Sequence, residues 1–352
     1  MRAQICRIDP VHPDQKLLEQ AGAINKRGGL VAFPTETVYG LGGNALDETS
    51  SQKIYAAKGR PSDNPLIVHI ADLDHLGPIV GEIPDQARRL AARYWPGPLT
   101  MIFQKNARVP LSTTGGLDTV AVRMPDHPLA LAFIRESGGY IAAPSANRSG
   151  RPSPTTAQHV AEDLGETIDL ILDGGPVGIG IESTIVDFTG EVPTILRPGY
   201  ISQEMLEEVL GSVEMDRALI HPDSGIRPKA PGMKYRHYAP RADLTIVAGD
   251  QEAVIEQITA LAQEQIDLGH RVGIIATEES RMRYPLGLVR SIGSRCSEET
   301  IAHNLYDILR GFDETDVDLI YSEAFDTPQM GEAIMNRLRK AAGQKLITVT
   351  KS

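Results

Sequence analysis

The chain has 352 residues, long enough for two domains, and its hydrophobic fraction of 41% supports a core in each. A formal net charge of −11 and an aromatic content of 5% argue against broad electrostatic binding of nucleic acid and against stacking platforms for single strands. Two cysteines, Cys6 and Cys296, exclude a disulfide framework or a cysteine zinc site, and the lack of a long apolar run or apolar leader favours a cytoplasmic protein without membrane contact.

Residues 1–200 are predicted to form one α/β domain, because short apolar runs alternate with amphipathic segments. Strands are predicted over 30–33, 66–70, 99–103, 119–123, 140–143, 170–173, 183–188 and 194–197. Helices are predicted over 17–26, 51–57, 86–94, 129–136 and from about residue 155, with Ser153 or Thr155 as the N-cap of the last. Residues 58–64 are predicted to be a polar loop.

Residues 201–240 begin with a predicted helix over 203–210 and continue as a Pro- and Gly-rich stretch without periodicity, which is typical of a linker. Its basic and aromatic side chains are unusual for a spacer, so we expect the linker also to touch a ligand and to close over the active site: Lys234, Tyr235, Arg236, His237 and Tyr238. Residues 241–352 alternate strands and helices, which predicts a smaller doubly wound, Rossmann-like parallel sheet. No G-x-G-x-x-G follows its first strand, and nothing there indicates a nucleotide site.

Five motifs in residues 1–200 place polar groups next to predicted strands. They are Pro-Thr-Glu-Thr-Val-Tyr-Gly-Leu at 34–41, Lys-Gly-Arg-Pro at 58–61, Val-Arg-Met-Pro at 122–125, Ala-Pro-Ser-Ala-Asn at 143–147 and Glu-Ser-Thr-Ile-Val-Asp at 182–187. Lys58 and Arg60 suit a clamp for phosphate or carboxylate, and small residues near Ser145 and Asn147 let backbone approach a ligand closely. Each motif alone fits an ordinary turn or exposed loop as well, and no Walker A sequence occurs.

In this order, together with Trp-Pro-Gly-Pro-Leu-Thr at 95–100, the motifs resemble the YrdC-like family throughout residues 15–200. The pairs Lys58/Arg60 and Ser145/Asn147 match the hallmark of that family. Residues 231–240 and 241–352 are similar to the linker and the extra Sua-type C-terminal domain of its longer members, the threonylcarbamoyl-AMP synthases. The resemblance implies a YrdC-like mixed twisted sheet with helices, followed by the smaller domain.

The resemblance also implies a nucleotidyltransferase reaction in which L-threonine, bicarbonate and ATP with Mg²⁺ give threonylcarbamoyl-AMP and pyrophosphate. A downstream tRNA threonylcarbamoyl transferase would use the product next to the anticodon, and weak contact with RNA stays open. No protein metal site is expected. The implied ATP contacts are Lys58, Arg60, Asn64, Thr119, Ser145, Asn147, Ser153, Arg197 and Tyr238, with Lys58 and Arg60 as the catalytic pair. The implied threonine contacts are Thr35, His69, Arg123, Ala143 and Ser183, with Arg123 on the carboxylate.

Two other functions are considered. A carbamoyltransferase of hydrogenase maturation uses a related domain, but it needs cysteine-rich zinc modules that two cysteines cannot supply. A non-catalytic RNA-binding protein on the same fold is disfavoured by the intact Lys58/Arg60 and Ser145/Asn147 pairs and by the net charge of −11.

Overall fold

A computed structural model describes residues 2–216 and 237–350. Its backbone contacts divide the chain into two compact units. The first comprises residues 1–149, 153–178 and 182–235, and the second comprises residues 150–152, 179–181 and 236–352. The predicted boundaries at 200 and 240 remain a prediction, and most of the predicted linker, residues 217–236, lies outside the described residues.

The described part of the first unit is built on an eleven-stranded mixed sheet. In chain order its strands are β1 (Gln4–Arg7), β2 (Val31–Phe33), β3 (Gly40–Asn44), β4 (Ile67–His69), β5 (Leu99–Gln104), β6 (Thr119–Arg123), β7 (Ile141–Ala142), β8 (Leu170–Asp173), β9 (Thr184–Asp187), β10 (Thr194–Arg197) and β11 (Glu214–Met215). They lie side by side in the order β1-β8-β2-β3-β7-β4-β6-β5-β9-β10-β11. The central strands are almost wholly buried, which explains their continuous apolar runs.

Six helices pack with this sheet in the described residues. They are α1 (Gln15–Lys26), α2 (Glu48–Lys58), α3 (Asp85–Tyr94), α4 (Pro128–Glu136), α5 (Ala157–Leu164) and α6 (Gln203–Leu210), with a short 3₁₀ turn over Leu73–His75. Each helix buries the face on which its apolar residues recur every three or four positions, as Leu18 and Ala21 do in α1. The predicted strands of this unit are found within one residue and the predicted helices within three, the largest difference being the start of α2 at Glu48.

One strand was not predicted, and one predicted N-cap is wrong. Residues 40–44, for which no element was predicted, form strand β3, which pairs with β2 on one side and β7 on the other. The N-cap of α5 is Thr156, whose hydroxyl accepts from the His159 amide, rather than Ser153 or Thr155. Glycine is rare in strand interiors, so residues 40–44 do not show the pattern of a strand. A Cβ at Gly42 would come within 3.1 Å of the Phe33 ring, which explains why the strand uses glycine there.

Residues 58–64 are not simply a polar loop, and this changes the environment of Lys58. Helix α2 continues to Lys58 and ends at Gly59, whose φ of 61° is the left-handed conformation that favours glycine at a helix end. The side chains of Lys58 and Arg60 are both buried. The interpretation of this pair as a solvated surface feature is therefore excluded.

The second unit contains a five-stranded parallel sheet in its described part. Its strands are β12 (Asp243–Gly249), β13 (Val272–Ala276), β14 (Leu288–Ser291), β15 (Leu319–Glu323) and β16 (Leu346–Val349), in the order β14-β13-β15-β12-β16. Its long helices are α7 (Gln251–Asp267), α8 (Glu298–Asp313) and α9 (Gly331–Ala341). The predicted doubly wound parallel sheet is confirmed. Within the described residues no helix combines the length and apolarity needed to cross a bilayer.

Candidate active site

A buried guanidinium marks the centre of the candidate site in the first unit. Arg123 ends strand β6, and its NH2 lies 2.7 Å from Oε2 of Glu36. Its NH1 donates to the Thr37 hydroxyl at 2.9 Å, and its Nε donates to the Gly97 carbonyl at 3.3 Å. Nε and NH1 donate hydrogen bonds and NH2 is held by the ion pair, so the planar group is fixed in one orientation. The hydroxyl of Thr35 lies beside that of Thr37, at 2.9 Å, and donates to the Val38 carbonyl.

His69 lies next to Arg123, because the two residues are paired in the register of β4 and β6. The imidazole is buried, and its Nδ1 lies 3.1 Å from the Ile67 carbonyl. Burial, reinforced by the positive charge of Arg123, lowers the pKa of His69 to about 3. His69 is therefore a neutral imidazole at physiological pH and can exchange hydrogen bonds with a polar ligand without adding charge.

Ser183 and Arg197 adjoin the same region through strand β5. Thr100 of β5 is directly opposite Arg123, and its hydroxyl lies 2.8 Å from that of Ser183. Arg197 donates from Nε to the Ser183 carbonyl at 2.9 Å and from NH2 to the Ser183 hydroxyl at 3.1 Å. The structure therefore brings Ser183 and Arg197 together, and Thr100 connects them to Arg123.

The Lys58 ammonium group organises the loop that carries Ser145 and Asn147. Its Nζ donates to the backbone carbonyls of both residues and lies 3.3 Å from the Asn147 side-chain oxygen. The Ser145 hydroxyl donates to the same Asn147 oxygen at 2.5 Å. Lys58 of the first hallmark pair thus shares one hydrogen-bond network with Ser145 and Asn147, the second pair.

Arg60 belongs to a neighbouring group at the amino ends of β4 and β6. Its Nε donates to the Asn64 carbonyl at 3.4 Å and its NH2 to the Pro65 carbonyl at 3.0 Å. Thr119 begins β6, whereas Arg123 ends it, so about 13 Å of strand separates them at about 3.3 Å per residue. Asn64 and Thr119 are therefore not close neighbours of the Arg123 group along these strands.

Backbone hydrogen bonds tie the motif loops together. The Tyr39 amide donates to the Pro154 carbonyl, and the Ala146 amide donates to the Tyr39 carbonyl, both within 2.9 Å. Ser153 donates from its hydroxyl to the Glu182 carboxylate at 2.6 Å, next to Ser183. Ala143 is buried, and its amide donates to the Ile67 carbonyl of β4. The loops that begin with the motifs at 34, 143 and 182 consequently meet in one region of the unit.

Sequence reasoning did not assign roles to Glu36, Thr37, Thr100 or Glu182. Glu36 and Thr37 lie inside the first motif, so the motif pointed to this segment of the chain. Their contacts with Arg123 could not be predicted, because Arg123 is far away in sequence. Tyr238 is described in the second unit, buried, with its ring 5.1 Å from that of Tyr306. Its predicted contact with the nucleotide stays a prediction, and Lys234, Tyr235 and Arg236 lie outside the described residues.

Comparison with known proteins identifies the family. Residues 23–199 match the Sua5–YciO–YrdC family, described as "Telomere recombination", and residues 201–343 match "Threonylcarbamoyl-AMP synthase, C-terminal domain". The threonylcarbamoyl-AMP synthase of Bacillus subtilis is 51% identical over 340 residues, covering 96% of both chains. The chain belongs to the threonylcarbamoyl-AMP synthase family. The enzyme of the same name from Pyrococcus abyssi is 49% identical, over 95% of this chain and 96% of that one.

A solved structure extends the similarity to three dimensions. The crystal structure of Pyrococcus abyssi Sua5 complexed with L-threonine is 46% identical to this chain, with a TM-score of 0.93 and coverage of 99% of this chain and 100% of that one. The predictions of the family, of its two-part α/β fold and of a threonylcarbamoyl-AMP synthase are thereby confirmed. Membership of an enzyme family over nearly the whole length also excludes the reading as a non-catalytic RNA-binding protein.

Proposed function

We propose that this chain makes threonylcarbamoyl-AMP and pyrophosphate from L-threonine, bicarbonate and ATP, and that the product supplies tRNA modification next to the anticodon through a downstream transferase. The observation that carries the proposal is the buried, fully oriented guanidinium of Arg123 beside neutral His69, in the same unit as the Lys58 network. The reaction requires recognition of a carboxylate and of a nucleotide. Arg123 supplies an anchor for the carboxylate, and the loop of small residues around Lys58 supplies a cationic site for the nucleotide.

Threonine would bind through Arg123, because a guanidinium matches a carboxylate in bidentate fashion. Since Glu36 lies at 2.7 Å from NH2, the substrate carboxylate would share or replace that contact. Thr35, His69, Ala143 and Ser183 would complete a small polar pocket for the hydroxyl and the amine. Because His69 stays neutral, it would bind these groups without repelling the ammonium of threonine.

ATP would bind on the side of the Lys58 network. Lys58, Arg60 and Arg197 would supply positive charge for the phosphates, while Ser145, Asn147 and Ser153 would donate or accept hydrogen bonds without bulk. Asn64 and Thr119 would contact an extended nucleotide at the amino ends of β4 and β6, and Tyr238 is proposed as a further ATP contact. Mg²⁺ would arrive with ATP, as part of the MgATP substrate.

The reaction then needs positioning more than an enzyme nucleophile. The free amine of threonine bonds to the bicarbonate carbon, and hydroxide leaves as water after taking one amine proton, so a carbamate forms. A carbamate oxygen attacks the α-phosphorus of ATP, the bond to the β-phosphate bridge breaks, and pyrophosphate leaves. Fixed cations such as Lys58 and Arg60 stabilise the charge that develops on the phosphates. A cytoplasmic location, where ATP and tRNA are present, forms part of the proposal.

The decisive experiment incubates the full chain with ATP, Mg²⁺, bicarbonate and threonine, and measures pyrophosphate together with the adenylate by mass spectrometry. Omission of threonine or bicarbonate should abolish adenylate formation. Adding the downstream transferase and tRNA should convert the adenylate into threonylcarbamoyladenosine. Pyrophosphate release that does not depend on threonine, or that yields no threonylcarbamoyl-AMP, would contradict the proposal.

A further inference from the structure

The sheet of the second unit contains a point where its connections change direction. From β12 the chain passes through α7 to β13, while from the adjacent strand β15 it passes through α9 to β16 on the opposite side. In open parallel sheets such a reversal opens a crevice at the carboxyl ends of the two strands, and ligands bind there. None of the residues assigned above to threonine or ATP lines this crevice.

A cavity of about 210 Å³ lies at that place. Its walls combine the apolar side chains of Val247 and Val254 with the polar side chains of Gln251, Arg295 and Asp326. Pockets for drug-sized ligands usually exceed about 300 Å³, so this volume suits a smaller molecule. The mixed wall favours a ligand with a short apolar part and two or more polar groups.

Arg295 is held by its NH2 group, and one guanidinium nitrogen, Nε, is left for a ligand. Its NH2 donates to Oε2 of the fully buried Glu323 at 2.7 Å and to the Ala324 carbonyl at 3.0 Å. Glu323 is held in turn by the hydroxyls of Ser280 and Tyr284. The Nε of Arg295 is buried and has no hydrogen-bond partner among the described residues. A buried donor without an acceptor costs about 1–3 kcal/mol, so an acceptor atom from a ligand would bind favourably there.

The surrounding charges decide which acceptor is suitable. At the start of α7 the Asp250 carboxylate accepts from the amides of Glu252 and Ala253, so these donors are not directed at a phosphate. Asp326 adds a further negative charge to the cavity wall and disfavours a polyanion. A carboxylate can pair with Arg295, and an ammonium group on the same molecule can pair with Asp326. These requirements are met together by a small zwitterion.

We propose that this crevice binds a free α-amino acid with a short side chain. Arg295, oriented by Glu323, takes the α-carboxylate, and Asp326 takes the α-ammonium. Val247 and Val254 contact the side chain and limit its length. The site lies wholly in the second unit, and it is distinct from the threonine pocket proposed around Arg123.

The test is methyl NMR of the full chain with labelled valines, titrated separately with L-threonine, L-serine, L-alanine, L-valine and inorganic phosphate. At least one amino acid should shift the Val247 and Val254 methyl signals in a saturable manner, and the shifts should persist in Arg123→Met, which lacks the carboxylate anchor of the first unit. Asp326→Asn should weaken this binding about 10-fold, equivalent to about 1.4 kcal/mol, and Arg295→Gln should abolish it.

Asp316→Asn is the matched control, because Asp316 is an exposed carboxylate before β15, at the opposite end of the strand, and should leave the titration unchanged. Asp326 is exposed and leaves the Arg295–Glu323 pair intact, so its variant reports on binding even if Arg295→Gln destabilises the unit. Failure of every amino acid to shift these methyls would overturn the proposal. Shifts that Asp326→Asn does not weaken, or that phosphate reproduces, would overturn it equally.

Discussion

The ion pair between Glu36 and Arg123 should couple strongly in a double-mutant cycle of stability. The side chains are 13% and 5% exposed, and apart from this contact both carboxylate oxygens of Glu36 are buried without a hydrogen bond among the described residues. Arg123→Met therefore leaves an uncompensated buried carboxylate, at a cost of about 3–5 kcal/mol. In Arg123→Met combined with Glu36→Gln no charge remains buried, so we expect a coupling free energy of at least ~2 kcal/mol.

The chain supplies its own reporter for this measurement. Trp95 is the single tryptophan of the sequence, it is buried in the first unit, and its indole donates to the Leu99 carbonyl. Urea denaturation followed by tryptophan fluorescence therefore reports the unfolding of the unit that contains the ion pair. The free energies of the wild type, both single variants and the double variant give the coupling.

A matched control is available in the same unit. Arg135 and Asp72 form an ion pair at 3.0 Å, but their side chains are 51% and 45% exposed. The cycle of Arg135→Met and Asp72→Asn should give a coupling below about 1 kcal/mol, because solvent screens exposed pairs. If the two Glu36 and Arg123 substitutions are additive within about 0.5 kcal/mol, the reasoning from burial is refuted.

Three further predictions concern the candidate site. Lys58→Met should lower adenylate formation at least ~100-fold. It should also destabilise the first unit by about 1–3 kcal/mol, because two carbonyls lose their hydrogen-bond donor. Lys53→Met, on the exposed face of the same helix, should leave turnover unchanged. Stability of the first unit should fall as pH falls from 7 to 5, since unfolded His69 gains a proton near pH 6.5 while the folded residue, with a pKa of about 3, stays neutral. In Trp95-monitored denaturation His69→Gln should reduce that loss by up to about 2 kcal/mol, and an unchanged pH dependence would contradict the assignment. Serine should support less adenylate formation than threonine, and leucine and glycine almost none; equal rates with leucine would exclude the small polar pocket.

Much of the fold could be predicted because its signals are local. Continuous apolar runs identified the central strands, and amphipathic spacing identified the helices to within three residues. Three strands at the sheet edges, β1, β11 and β16, were missed because they are short and their side chains are exposed or only half-buried. Strand β3 was missed for a different reason. Its glycines have a low strand propensity. They are needed because the Phe33 ring, from another strand, packs directly on Gly40 and Gly42 and leaves little room for a side chain.

The residues of the candidate site could be predicted by motif, but their environments could not. Lys58 was predicted in a polar loop, yet its charge is compensated by carbonyls about 90 positions later in the chain, which no local pattern reveals. The same is true of Arg123, whose partner Glu36 belongs to a different motif. A buried charge is destabilising unless acceptors or opposite charges from other parts of the chain surround it. We therefore expect a buried cation next to a loop of small residues to serve ligand binding, since apolar packing alone would be more stable there. That cost is the physical reason to expect function at Lys58 and Arg123 rather than at exposed cations of the same unit, such as Lys53.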